Sequence, residues 1–366
     1  MKKILFITNG HGEDVVAAQI ITRLKGKRHN IEVMPVVGNG SQFKGLKIDL
    51  IGPKKILPSG GFGLRNYSYL VRDIFAGFLG KVMTQMRTLK RHKGRYDLVI
   101  GIGDIVPIIY AMITGSKFIF VGVNKSEYYK KLAFNYTGLE KWLLKNYCAL
   151  TFTRDRKTCE ELKLLGIHAK YVGNPMMDAV QNIRASGHQD IRTIKTIGFL
   201  PGTRDDAYKN IEDFYKIAFQ INRLDKNIRF LFSVPSNLHR SKLQRIKPPL
   251  KIALTADFSE VLKASDMIIG LSGTGNEQAA GLGIPVIAFP GRGAQFNSRF
   301  ASGQKELLGR ALLLLSRDSW TIAKEAIALL KNRVEMRIMS LAGKQRMGGA
   351  GATAKLAEAI IKELGK

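Results

Sequence analysis

The stretch Leu271-Ser272-Gly273-Thr274-Gly275-Asn276-Glu277-Gln278-Ala279-Ala280-Gly281-Leu282-Gly283-Ile284-Pro285 decides the fold. The apolar run 267–271 reads as a buried strand, and small residues then open a short helix. Gly283 suits the helix's C-terminal end, where a left-handed backbone is needed, and Pro285 enters the next strand. A buried strand feeding a helix that returns to another buried strand is the repeating unit of a parallel α/β sheet.

The same alternation runs outward in both directions. Towards the N-terminus, apolar β-branched runs at 3–8, 31–37, 97–102, 117–123 and 149–153 predict strands, with helical patterns such as 14–24 and 69–91 between them. Ala185-Ser186-Gly187-His188-Gln189-Asp190 is a polar break, after which a second series predicts strands at 196–200, 229–234, 251–254, 267–271 and 285–289. Continuous apolar strands require helices on both sheet faces. The expected architecture is two doubly wound α/β domains facing a cleft: 1–180, a hinge at 181–193, 194–345, and a C-terminal helical segment 346–366 that packs back on the first domain. In such sheets ligands sit beyond the carboxyl ends of the strands, at a topological switch point, so the loops after the strands carry the chemistry.

In the second domain, the first-turn N–H groups at Ser272, Gly273, Thr274, Gly275 and Asn276 suit a phosphate. Glu277, one turn in, is placed to accept from ribose hydroxyls; a helix-dipole glutamate in a Gly-rich turn is the plainer alternative. Arg204, in Leu200-Pro201-Gly202-Thr203-Arg204, suits a bidentate pyrophosphate clamp, or is a surface arginine beyond a turn. Gln295 and Asn297, after Pro290-Gly291-Arg292-Gly293, suit hydrogen bonds to a base or sugar, or cap the next helix.

In the first domain, Thr8-Asn9-Gly10-His11-Gly12-Glu13-Asp14 follows strand one, with two glycines and three titratable side chains. Asp14 also suits a helix N-cap region. Gly101-Ile102-Gly103-Asp104-Ile105-Val106-Pro107 closes another buried strand with an acid, which serves either as a general base or as the cap of a Pro-opened helix.

Composition narrows the class. Fifty-eight Lys+Arg against 29 Asp+Glu give a formal net charge of +29, spread over both halves. Such a field attracts nucleic acid, anionic lipid or phosphorylated substrates, although lysine-rich composition alone also produces it. Cys148 and Cys159 make no disulfide framework, and no Cys/His cluster or Asp-x-Asp pair points to a metal. No P-loop, complete G-x-G-x-x-G, G-x-S-x-G or nucleic-acid-binding motif occurs. The N-terminal apolar run is too short for a signal peptide, and no run reaches the ~18 residues of a membrane span. Residues 56–93 mix Phe62, Leu64, Tyr67, Tyr69, Leu70, Phe75, Phe78 and Leu79 with Arg65, Arg72, Lys81, Arg87, Lys90, Arg91 and Lys93, which is the composition of an interfacial surface for anionic lipid or of an ordinary amphipathic helix.

Five stretches taken together resemble the lipid-A-disaccharide synthase-related family: NGHGED at 9–14, GDIVP at 103–107, GNPMMD at 173–178, LPGTR at 200–204, and SGTGNEQA with QFN at 272–279 and 295–297, to which RMGGAGA at 346–352 adds. The resemblance implies a GT-B-like fold and an inverting, metal-independent glycosyltransferase, with no cofactor beyond a UDP-sugar as co-substrate. It implies an N-acetylglucosamine-type sugar passed to a lipid-linked acceptor, on the cytoplasmic side of the inner membrane and peripherally bound. Arg204 and the 272–275 backbone would hold the pyrophosphate, Glu277 the ribose, with Asn276, Gln295 and Asn297 nearby. Asp104 matches the family's acidic base; His11 is a rival base beside Glu13, and Asn9, Gly10, Gly12 and Asp14 complete the acceptor loop. The first loop departs from the synthases' G-E-x-S-G-D, and the Asp104-to-Pro107 step is one residue longer than D-x-P. A UDP-N-acetylglucosamine 2-epimerase-like isomerase and a non-catalytic sugar-nucleotide-binding relative are the alternatives.

Overall fold

The computed structural model describes residues 1–24, 29–53, 78–129, 134–183, 195–202, 206–234, 238, 252–293 and 295–365. The chain forms two compact units, Met1–Ala179 with Gly351–Lys366, and Val180–Ala350. Both are Rossmann-type, so the fold is α/β and GT-B-like.

Unit 1 holds β1 (Lys2–Thr8), β2 (His29–Pro35), β3 (Asp49–Leu50), β4 (Leu98–Ile102), β5 (Phe118–Gly122), β6 (Leu150–Thr153) and β7 (Ala169–Tyr171). They form one parallel sheet in the order β3-β2-β1-β4-β5-β6-β7. Ile4, Leu5, Phe6 and Ile7 are fully buried because alternate side chains enter cores on opposite faces, one led by Ile4 and Phe6 and the other by Leu5 and Ile7. Each such side chain contributes about 1.5–3 kcal/mol relative to exposure. The helices are α1 (His11–Leu24), α2 (Phe78–Arg91), α3 (Ile105–Ile113), α4 (Gly138–Tyr147), α5 (Arg156–Leu164) and, from the far end of the chain, α12 (Ala352–Leu364). Leu356, Ala357, Ile360 and Leu364 of α12 enter the core formed by α1 and β1.

Unit 2 holds β8 (Lys195–Leu200), β9 (Ile228–Ser233), β10 (Ala253–Thr255), β11 (Met267–Gly270), β12 (Val286–Ala288) and β13 (Leu312–Leu314), all parallel, in the order β10-β9-β8-β11-β12-β13. Its helices are α6 (Asp206–Leu224), α7 (Phe258–Ala264), α8 (Gly273–Gly281), α9 (Ser298–Leu308), α10 (Ser319–Lys331) and α11 (Arg333–Met347). Phe199, Phe214 and Phe232 stack as one aromatic core, with ring centroids 4.3–6.1 Å apart. Gly343 is obligatory: a Cβ there would lie 2.1 Å from the Ala280 carbonyl oxygen, so only glycine lets α11 rest on α8.

Several boundaries move from the sequence expectation. α1 starts at His11 rather than residue 14, because Glu13 and Asp14 occupy its first turn, where the dipole favours acids. The second expected helix is described from Phe78 onward, and the polar break at 185–190 lies outside the described residues. Lys81, expected on a basic fringe, is instead buried and donates to the Val37 carbonyl at 3.3 Å, while Gln85 donates to Val36 at 2.9 Å. Among the described residues no helix is long and apolar enough to cross a membrane.

Candidate functional site

Strand order places the expected loops. In unit 1 the sheet reverses between β1 and β4, and those two strands lead into Asn9–Asp14 and Gly103–Pro107. In unit 2 it reverses between β8 and β11, which lead into Pro201 and Ser272. Each pair therefore flanks a switch point, where the crevice of a doubly wound sheet opens.

At the first switch point three carboxylates are each held by a neutral donor. Asp104 caps α3: its Oδ1 accepts from Val106 N at 3.0 Å and from Asn9 Nδ2 at 2.7 Å. Its Oδ2 accepts from no described residue. Glu13 is buried and accepts from Asn124 Nδ2. It lies in the corner made by Gly10, where a Cβ would fall 2.4 Å from Oε2, and by Gly103, whose φ of 134° is open to glycine alone. Asp14 accepts from the Thr8 hydroxyl at 2.5 Å. Burial pushes its carboxyl up to about 6, against the opposing pull of the Thr8 hydroxyl and the His11 charge. His11 is exposed and Gly12 packs against the Met176 side chain.

Asn124 carries no motif in the sequence, and only its bond to Glu13 identifies it. It heads a loop beyond β5 that is locked from behind. Lys125 and Glu140 form a buried ion pair at 2.8 Å, and the Glu127 amide donates to the Thr158 hydroxyl at 2.9 Å. These contacts anchor the residues that follow Asn124 to α4 and α5.

At the second switch point Ser272 caps α8 and accepts from Gly275 N at 3.3 Å. The N–H groups of Gly273 and Thr274 donate to no described residue, leaving two amides at a helix N-terminus. Not every small residue serves that opening. A Cβ on Gly275 would meet Ser272 Oγ at 2.8 Å and Leu200 at 3.2 Å, so glycine is required there by packing. Asn276 faces inward and braces α8 against β11 through the Gly270 carbonyl at 3.0 Å. Glu277 is buried and accepts from Gln304 Nε2 of α9 at 3.0 Å. Asn297 caps α9, accepting from Phe300 N at 2.9 Å, and the Gln295 amide donates to Asp206 at 3.0 Å. Asp206 thus ties the 290–297 loop to α6, as Asn210 ties the β8 loop through Pro201 O at 2.8 Å. Arg204 lies outside the described residues.

Comparison with known proteins points the same way. The family model of lipid-A-disaccharide synthetase matches residues 162–289, a span that includes the 200–202 and 272–279 corners. The lipid-A-disaccharide synthase of Syntrophotalea carbinolica is 28% identical over 133 residues, 33% of this chain and 33% of that protein, so the match spans about a third of the length of either. The chain is similar to this family, as the motifs imply. Among solved structures, CalG4, the calicheamicin glycosyltransferase, superposes with a TM-score of 0.68 at 14% identity, covering 100% of this chain and 99% of that one. A UDP-N-acetylglucosamine 2-epimerase of Listeria monocytogenes superposes at 0.64 and 14% identity, covering 100% and 97%. At that identity the likeness is one of fold.

Proposed function

We propose that the protein is a UDP-sugar-dependent glycosyltransferase whose unit 2 binds the donor and whose unit 1 supplies the base and binds a lipid-linked acceptor. The observation that carries this reading is the α8 corner at the β8/β11 switch point, where two amides that donate to no described residue stand one turn from the buried Glu277 carboxylate. Amides at a helix N-terminus stabilise an anionic diphosphate, and stabilise it further as the leaving group gains charge. A carboxylate one turn in accepts from ribose hydroxyls. Arg204 adds a guanidinium to the diphosphate, so the leaving group is neutralised without a metal.

In unit 1 the reaction needs a proton acceptor for the attacking hydroxyl. Asp104 has the right form for it: Oδ1 is fixed by two donors, which leaves Oδ2 to take the proton of the attacking hydroxyl. Attack by that hydroxyl on the anomeric carbon, with UDP departing from the opposite face, inverts the configuration. The sugar is of N-acetylglucosamine type, and the acceptor is reached from the cytoplasmic face of the inner membrane by peripheral binding.

A thermal-shift screen of UDP-, GDP- and dTDP-sugars tests the donor, since a ligand that binds only the native state raises its melting temperature. UDP-sugars are expected to give the largest rise, and Glu277→Ala to weaken it by about tenfold or more in affinity. Asp104→Asn is expected to lower turnover about 10²–10⁴-fold while sparing the shift; full activity in that variant would move the base to His11 or Glu13. The epimerase fold likeness supports a second reading, isomerisation of UDP-N-acetylglucosamine without an acceptor. Free UDP released only when lipid acceptor is added excludes it; conversion of the sugar nucleotide alone establishes it.

A further inference from the structure

Gln304 is one of three buried amide side chains among the described residues of unit 2 that donate without having their own oxygen satisfied, with Asn210 and Asn276, and it alone of the three donates to a carboxylate. It sits in the body of α9, is 1% exposed, and donates its Nε2 to Glu277 Oε1 at 3.0 Å. Among the described residues its own Oε1 is buried with no hydrogen-bond partner. An amide that satisfies a neighbour while leaving its own acceptor dry lowers stability relative to an apolar side chain of the same shape. A core chosen for packing alone would place leucine or methionine there. The bond it does make falls on the carboxylate that heads the donor corner, and it comes from a different helix from the one that carries Glu277.

We propose that Gln304 is a positioning residue that sets the specificity of unit 2 for a ribonucleoside over a 2′-deoxyribonucleoside diphosphate; this rests on Glu277 being the ribose acceptor. Gln304 holds Oε1 of Glu277 from α9. A carboxylate oriented from a neighbouring helix meets the vicinal hydroxyls of a ribose at hydrogen-bonding angles, and loss of that contact loosens the match. Discrimination by a hydroxyl is strong only where the site's buried polar group is held in place to receive it. The cap of α9 supports the same end: Asn297 fixes the helix start two turns before Gln304, and Gln304 itself reaches across to α8.

The test is calorimetric titration of the full-length protein with UDP and with 2′-deoxy-UDP. In the wild type UDP is expected to bind roughly tenfold or more tightly than its deoxy analogue. Gln304→Met, of similar volume, should bring the two affinities within about threefold by weakening UDP, with 2′-deoxy-UDP nearly unchanged. A structural role would instead weaken both nucleotides together and leave their ratio intact, which would overturn the proposal. Gln304→Glu supplies a second readout, because its carboxyl donates to Glu277 only when protonated. The UDP preference of that variant should return as pH is lowered from 8 to 5; a preference independent of pH counts against the proposal, as does a wild-type ratio retained in both variants. Failure of the wild type to bind UDP at all overturns the donor reading itself, and this inference falls with it.

Discussion

Asp14 shows how much a single carboxyl at the first switch point is shaped by its surroundings. It is 2% exposed and bound to the Thr8 hydroxyl, and burial raises its pKa from 3.8 to about 6. Below pH 3.8 it is protonated in both the folded and the unfolded chain, and folding carries no penalty. Between about 4 and 6 the folded protein retains a proton that the unfolded chain releases, so stability falls as pH rises; above about 6 the loss is complete, roughly 3 kcal/mol. Asp14→Asn removes that titration. Urea unfolding of both proteins from pH 4 to 7 should show the variant gaining on the wild type up to about pH 6 and then running parallel; a constant difference would remove the titration of Asp14 as its cause. The acids and glycines of this corner were legible because they directly follow an apolar run, where a strand must end. Asn124 was not: it sits in Val123-Asn124-Lys125, with no glycine or acid beside it, and only the fold brings it to Glu13. Gln304 was hidden for the opposite reason, as a polar residue in a helical stretch that reads as solvent-facing until the helix is docked.

The long, strongly apolar elements were legible and the short ones were not. The strands at 3–8, 196–200 and 267–271 match the structure to within a residue, whereas Asp49–Leu50, Ala169–Tyr171 and Leu312–Leu314 leave no signal in the sequence. Two or three residues carry no measurable periodicity, and these edge strands exist because a neighbouring strand offers its backbone. The last helix shows a similar division. Its apolar face was plain in the sequence, but its cap comes from far upstream. Gly351 at the N-cap has no side chain, and Asp178 supplies the acceptor instead, taking the amides of Gly351 and Thr353 and the Thr353 hydroxyl. That gives GNPMMD and RMGGAGA one shared task, seating α12 in the unit 1 core. Asp178→Ala should destabilise unit 1 by about 1–3 kcal/mol, since two amides and a hydroxyl lose their acceptor in a buried setting. Hydrogen exchange should report it as lost protection across 352–364, with strands β8 and β11 unaffected; uniform loss over both units would mean the cap is not local.

For the molecule as a whole, the division into two α/β units is readable because the strand–helix alternation restarts after a polar break, whereas strand order is not, since a right-handed crossover fixes the hand of each connection but not which strands become neighbours. Charge is the property that no single element explains. A net +29 on 366 residues is carried by both halves, so attraction to a polyanion is a property of the entire surface. Among the described residues the exposed apolar side chains include Leu139, Trp142 and Tyr147 on α4, each about half exposed, with Lys145 on the same helix. Aromatic residues beside cations suit the headgroup layer of a bilayer. Each lysine or arginine near an anionic leaflet contributes ~1 kcal/mol, and the Debye length shrinks from ~8 Å at 0.15 M salt to ~3 Å at 1 M. Binding built on a few such contacts is therefore strong at low salt and nearly gone at 1 M. The protein should co-sediment with vesicles containing anionic phospholipid at low ionic strength and return to the supernatant at 1 M salt, and Trp142→Ala should weaken the low-salt binding without abolishing it. Equal sedimentation with purely zwitterionic vesicles would show that charge is not what brings the protein to a membrane, and would leave the basic surface to be explained by composition alone.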